Sequence, residues 1–61
     1  MDNYKLMHRC MGHWWLYGYC ETLEELYKLN DACRHEGWCH RKAYRWDDDR
    51  YAWIEIELKE D

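Results

Sequence analysis

One stretch limits what this chain can become. From Glu21 to Trp38 it reads ETLEELYKLNDACRHEGW, and no other segment carries a complete helix signature. Thr22 stands three residues before Glu25, the spacing of a capping box. Leu23, Leu26, Leu29 and Cys33 recur at steps of three and four, which places them along one face of a helix over 23–36. Gly37 is placed to take the left-handed turn that ends it, and Trp38 can then fold back on the last turn. Glu24 with Lys28, and Asp31 with Arg34 or His35, are spaced to pair on the outer side. Such pairs are worth only a few tenths of a kcal/mol, and a helix this short is marginal alone, so the apolar stripe must be packed against something. Asn30 falls inside that stripe, and a buried amide needs a hydrogen-bond partner.

The flanking segments say what the helix packs on. Residues 4–20 read as a β-hairpin turning at Gly12. A three-residue loop, Cys10-Met11-Gly12, sets Leu6 opposite Leu16 and His8 opposite Trp14; a two-residue loop shifts the register by one and mixes the faces. The first arrangement segregates the aliphatics and is the expected one. Residues 38–58 read as a second hairpin with Asp48-Asp49 as its loop. Trp46 then faces Tyr51, Tyr44 faces Trp53, Lys42 faces Glu55 and His40 faces Glu57, with Asp47 and Arg50 pairing beside the loop. The other face carries Ala52, Ile54, Ile56 and Leu58 and is expected to meet the helix. The tail Lys59-Glu60-Asp61 is expected to fray. The whole is a single α+β domain with order ββαββ: a four-stranded antiparallel sheet, strand order 2-1-3-4, with one helix on one face.

Length and composition narrow the function. A chain of 61 residues buries only about 60% of its unfolded surface. Domains this small depend on disulfides, metal, self-association or large side chains. Five Trp and six Tyr supply the last of these. There is no Ser, so a serine nucleophile is excluded, and three Gly are too few and too scattered for a phosphate-cradling loop. The net charge of −4 argues against binding nucleic acid by a basic footprint. No apolar run approaches the ~20 residues that span a bilayer, and the start MDNYK lacks the layout of a signal peptide. The chain reads as cytoplasmic, its four Cys as thiols, with no cofactor and no membrane contact expected.

Four constellations could carry chemistry. The sheet face away from the helix would expose Tyr44, Trp46, Tyr51 and Trp53, continued by Trp15 and Tyr17. A large aromatic patch of this kind marks an interaction site, and Trp and Tyr are enriched at binding hot spots. It could equally shield the sheet, close a homodimer or, with Lys42 beside it, stack single-stranded bases. Second, Cys10, His13, Cys33, His35 and Cys39 could supply four zinc ligands, although the C-x2-C pairs usual in such sites are missing. Third, Cys33 with His35, or Cys39 with His40, fails as a nucleophile and base: neighbours on a strand point to opposite faces, and residues two apart on a helix do not meet. An enzyme is not expected. Fourth, Asp47, Asp48 and Asp49 serve better as turn formers than as a cation site, and their charge could touch a basic partner.

A strand, then YCETLEEL at residues 19–26, then a helix ending at Gly37 and a further strand, resembles small phage-encoded host-takeover proteins such as the phage inhibitor of bacterial RNA polymerase. The resemblance covers roughly residues 14–45. It implies a compact, non-enzymatic inhibitor or anti-defence protein whose partner is a bacterial protein in the host cytoplasm. It assigns no functional residue. The alternatives are a zinc-stabilised regulatory module and a single-strand binder.

Overall fold

The computed structural model describes residues 2–59. Strands β1 (Tyr4–Cys10) and β2 (His13–Cys20) form the first hairpin, helix α1 (Leu23–His35) follows, and β3 (Arg41–Asp47) and β4 (Ala52–Ile56) form the second. One antiparallel sheet runs in the order β2-β1-β3-β4. This is the α+β, ββαββ architecture expected from the sequence, with the helix on one face.

The helix forms as its signature dictates. The Thr22 hydroxyl accepts the Glu25 amide at 3.1 Å and donates to the Glu25 carboxylate at 3.0 Å. Glu36 is the C-cap, and Gly37 follows at φ 99°. The Gly37 amide reaches the Arg34 carbonyl and the Trp38 amide reaches the Cys33 carbonyl, which closes a Schellman turn. On the outer side Glu24 pairs with Lys28 at 3.9 Å, and Asp31 with both Arg34 and His35. On the inner side Leu26, Asn30 and Cys33 are buried. Leu23, expected in the stripe, is 45% exposed and stands outside the core. Asn30 Oδ1 accepts Arg41 Nε at 2.8 Å, and Arg41 also donates to the Trp38 carbonyl. Arg41 thus ties the end of the helix to β3.

Both hairpins depart from the expected register, each for a definable reason. In the first, Cys10 pairs with His13, so the loop is the two residues Met11 and Gly12, both at positive φ (53° and 80°). Loops of this length favour such turns because their twist matches that of the strands. A β-bulge restores the expected faces for the residues beyond it, but before it the faces are exchanged, so that Leu16, expected opposite Leu6, lies against Met7 on the open face. Leu6 pairs with Gly18 but Met7 pairs with Leu16, leaving Tyr17 as the extra residue. Leu6 and Cys20 thereby both turn inward. In the second hairpin Trp46 pairs with Trp53 and Tyr44 with Glu55, so the turn is longer, and Tyr51 sits at φ 52°. The shift is two residues. Because side chains alternate with a period of two, every residue keeps its expected face.

The core between helix and sheet is Leu6, Cys20, Leu26, Cys33 and Ala43, with Tyr4, Tyr17, Leu29, Trp38, Ile56 and Leu58 packed around it. The helix packs chiefly on β1 and β2, not on β4 as expected. It comes close enough to β2 that a Cβ on Gly18 would lie 3.2 Å from Leu29 Cδ2. Of the four aliphatics expected to meet the helix, Ile56 and, just beyond β4, Leu58 pack on the core, while Ala52 and Ile54 are half-buried outside it. Lys59 does not fray: its amide donates to the Tyr27 hydroxyl at 3.2 Å. Glu60 and Asp61 lie outside the described residues. Among the described residues no helix is long and apolar enough to cross a membrane.

Candidate functional site

Among the described residues, only two large aliphatic side chains, Leu6 and Leu26, are fully buried in the core. Tyr4, Tyr17 and Trp38 pack around that core, while Trp14, Tyr19, Tyr44, Trp46, Tyr51 and Trp53 lie on the sheet face opposite the helix. Alternation puts Lys5, Met7 and Arg9 of β1, Lys42, Tyr44 and Trp46 of β3, and Trp53 and Glu55 of β4 on that face. The bulge decides what β2 contributes: Trp14 and Leu16 before it and Tyr19 after it.

These residues contact one another. Trp46 stands edge-to-face with Trp53 at 5.2 Å and with Tyr51 at 5.3 Å between ring centroids. Trp53, on one edge strand, reaches Tyr19 on the other at 6.0 Å. Lys5 lies under this span, its Nζ 4.7 Å from the Trp53 ring and 5.1 Å from that of Tyr44. Lys42 Nζ stands 4.5 Å from the Trp14 ring. Cations over aromatic faces gain about 0.5–2 kcal/mol, more as they are desolvated. The Tyr44 hydroxyl titrates above its ordinary range, first because it is desolvated and second because of Glu55 beside it.

The face is built in two zones. Tyr44, Trp46 and Trp53 are half-buried by their neighbours and shield the sheet. Tyr51, Tyr19, Leu16 and Trp14 stand out from it, Tyr51 being 82% exposed. At one end the three aspartates act as turn formers. Asp47 Oδ1 accepts the amides of Asp49 at 3.0 Å and Arg50 at 3.3 Å, and its other oxygen is 3.8 Å from Arg50 Nε. Asp48 Oδ1 accepts the Trp46 indole N–H at 2.7 Å, which fixes the ring over the sheet.

Five of the nine residues expected at the site are thus joined by contact: Trp46, Tyr51, Trp53 and Asp48 directly, and Tyr44 through Lys5, while Asp47 braces the neighbouring turn through Asp49 and Arg50. Asp49 belongs to the turn beside them. Trp15 and Tyr17 do not continue this face. Trp15 pairs with His8 on the helix side, where its indole donates to the Cys10 carbonyl at 3.2 Å. Tyr17, the bulge residue, packs on His8 and the core. Their places on the open face are taken by Trp14, Leu16 and Tyr19, which sequence reasoning missed. The available signal was Gly18, since an isolated glycine within a strand pattern marks a bulge.

The helix side holds a second cluster. His8 lies edge-to-face between Tyr17 at 5.5 Å and Trp38 at 4.5 Å. Its Nδ1 is buried and has no hydrogen-bond partner among the described residues. The Tyr17 pKa is raised to about 12, first by its hydrogen bond to Glu36 and then by desolvation. The five residues considered for zinc are dispersed. Cys10 and His13 face each other at the hairpin end, Cys33 is in the core, His35 pairs with Asp31, and Cys39 donates to the Gly37 carbonyl at 3.6 Å. Among the described residues no three His, Cys, Asp or Glu side chains are grouped to hold a metal ion. Beyond the end of the β3–β4 ladder lies an open groove of about 290 Å³, lined by Leu6, Asn30, Arg41, Ile56 and Leu58 with Glu57 at its rim.

No protein-family model, curated protein or solved structure is detectably similar to this chain.

Proposed function

We propose that the chain is a small non-enzymatic protein-binding module that acts through the open aromatic face of its sheet. The observation that carries this reading is the division of that face into an inner zone that shields the sheet and an outer rim of Trp14, Leu16, Tyr19 and Tyr51 left in solvent. Shielding alone accounts for Trp46 and Trp53 but not for the rim. Exposed apolar patches rich in Trp and Tyr, with cations among them, have the composition of interface hot spots. The rings are held by mutual packing, by Lys5 and Lys42, and by the Asp48–Trp46 hydrogen bond, so little side-chain freedom is lost on binding.

For the partner we propose a bacterial protein, with this chain a phage-encoded inhibitor or anti-defence factor working in the host cytoplasm. Its support is the resemblance over residues 14–45 and four cysteines present as thiols. The test is capture of partners from bacterial lysate. Trp46→Ala with Trp53→Ala should abolish capture, and so should the milder Tyr19→Ser with Tyr51→Ser, while circular dichroism stays native. Undiminished capture by both folded variants would overturn the reading.

A further inference from the structure

Two of the four cysteines meet across strands. β1 and β3 run in a register that pairs Leu6 with Ala43, Met7 with Lys42 and His8 with Arg41. The Arg9 amide donates to the His40 carbonyl at 3.0 Å, which carries that register one residue ahead of the start of β3. The next pair in the series is Cys10 with Cys39. Both belong to the helix side of the sheet. Cys10 alternates with Leu6 and His8 along β1, and Cys39 lines the groove shared with Asn30 and Arg41.

The kind of pair matters. Along an antiparallel ladder, hydrogen-bonded and non-hydrogen-bonded pairs alternate. Arg9 with His40 is of the first kind, so Cys10 with Cys39 is of the second, and Cys10 turns its main chain to His13 in the hairpin. Non-hydrogen-bonded partners hold their Cα atoms about 4.5 Å apart, with the side chains close. A disulfide needs Cα atoms roughly 4.4–6.8 Å apart. The register therefore meets the backbone requirement without a shift of strands. Both residues are free thiols here, and Cys39 Sγ donates to the Gly37 carbonyl at 3.6 Å. Closure takes rotation about Cα–Cβ bonds and gives up only that weak contact. Access singles out the same two residues. Cys39 is exposed and Cys10 half-buried, whereas Cys20 and Cys33 lie in the core.

We infer that Cys10 and Cys39 form a redox site that closes to an intramolecular disulfide by exchange with a low-molecular-weight disulfide of the glutathione class. The Cys39 thiolate attacks one sulfur of that disulfide, forms a mixed disulfide and releases one small thiol. The Cys10 thiolate then attacks Cys39 Sγ and expels the second. The two protein thiols give up two electrons, the small disulfide takes them, and the two protons end on the released thiols. The new bond ties the end of the first hairpin to the segment after α1. It closes a loop of roughly 30 residues that contains β2 and the helix. Exposed disulfides are the readily reduced ones, so the staple is reversible. The site is independent of the reading of the open face.

Peptide mapping of the full chain tests it. The folded protein is treated with oxidised glutathione at neutral pH, capped with N-ethylmaleimide and digested without reduction. The expected product is a single chain lacking two hydrogen masses, with Cys10 joined to Cys39 and no glutathione retained. Cys20 and Cys33 should be capped only after unfolding. In Cys10→Ser the exchange stops at its first step, and glutathione stays on Cys39. The bond should raise the melting temperature by roughly 10 °C or more, a gain that dithiothreitol removes. Wild-type protein that keeps glutathione on Cys39 as Cys10→Ser does overturns the inference. So does a bond from either residue to Cys20, Cys33 or a second chain. A Cys10–Cys39 bond that leaves the melting temperature unchanged or lower also overturns it, because the native register would then not fit the bond.

Discussion

Asn30 occupies a position where the helical stripe calls for an aliphatic residue, and its surroundings explain why it is tolerated. Its Oδ1 accepts Arg41 Nε, and Arg41 in turn grips the Trp38 carbonyl. Removing one partner from a buried polar contact costs about 1–3 kcal/mol, so Asn30→Ala should lower denaturant stability by that amount. Loss of under a few tenths of a kcal/mol would show that the contact holds nothing. The cysteines differ sharply in surroundings. Burial pushes the Cys20 and Cys33 thiols up, while Cys39 is exposed and Cys10 partly so. A thiol reagent at neutral pH should modify Cys39 and Cys10 quickly, and Cys20 and Cys33 only on unfolding. Tyr17 gives a signature in alkali. Its folded pKa, about 12, lies above the ordinary 10.0, so the folded state favours the protonated phenol. That contribution is whole below pH 10 and is lost as the pH rises toward 12. Tyr17→Phe should flatten the fall in melting temperature over that window relative to wild type. An unchanged profile would remove Glu36 as its cause.

At the scale of elements, the helix was the most legible part of the sequence because every signal agreed. Thr22, the 3–4 spacing and Gly37 each specify the same boundaries, and the structure has them within a residue. Strand identity and order were legible too. Register was not, and the two hairpins show why the consequences differ. The second slips by two residues, which preserves faces, so Tyr44, Trp46, Tyr51 and Trp53 land where alternation places them. The first involves a one-residue change and a compensating bulge, which exchanges Trp15 and Tyr17 for Trp14 and Tyr19. Pattern within a strand cannot see a bulge, except through Gly18. That glycine now has a measurable role. Gly18→Ala presses a methyl group against Leu29, a flexible neighbour that can partly yield, and should cost about 1 kcal/mol or more. The turn offers the opposite change. Met11 holds a left-handed backbone that asparagine adopts more readily, so Met11→Asn should raise the melting temperature by a few degrees. A fall would contradict the turn geometry.

The molecule as a whole divides its apolar residues unusually between its two faces. The helix side encloses a thin core built on Leu6 and Leu26, with small residues filling the rest. The open side carries a web of rings that spans all four strands, from Tyr19 through Trp53 to Trp46 and Tyr51, with Lys5 and Lys42 seated in it. A small domain can hardly leave so much apolar area idle, since burying it is worth roughly 25 cal/mol per Å². Trp15 and Trp38 lie on the helix side and report on it independently. Hydroxyl-radical footprinting of the protein, free and then bound to its captured partner, reads both sides at once. Binding should protect Trp14, Trp53, Tyr19 and Tyr51 from oxidation and leave Trp15 unchanged. Protection of Trp15 with no change at the open-face rings would contradict it.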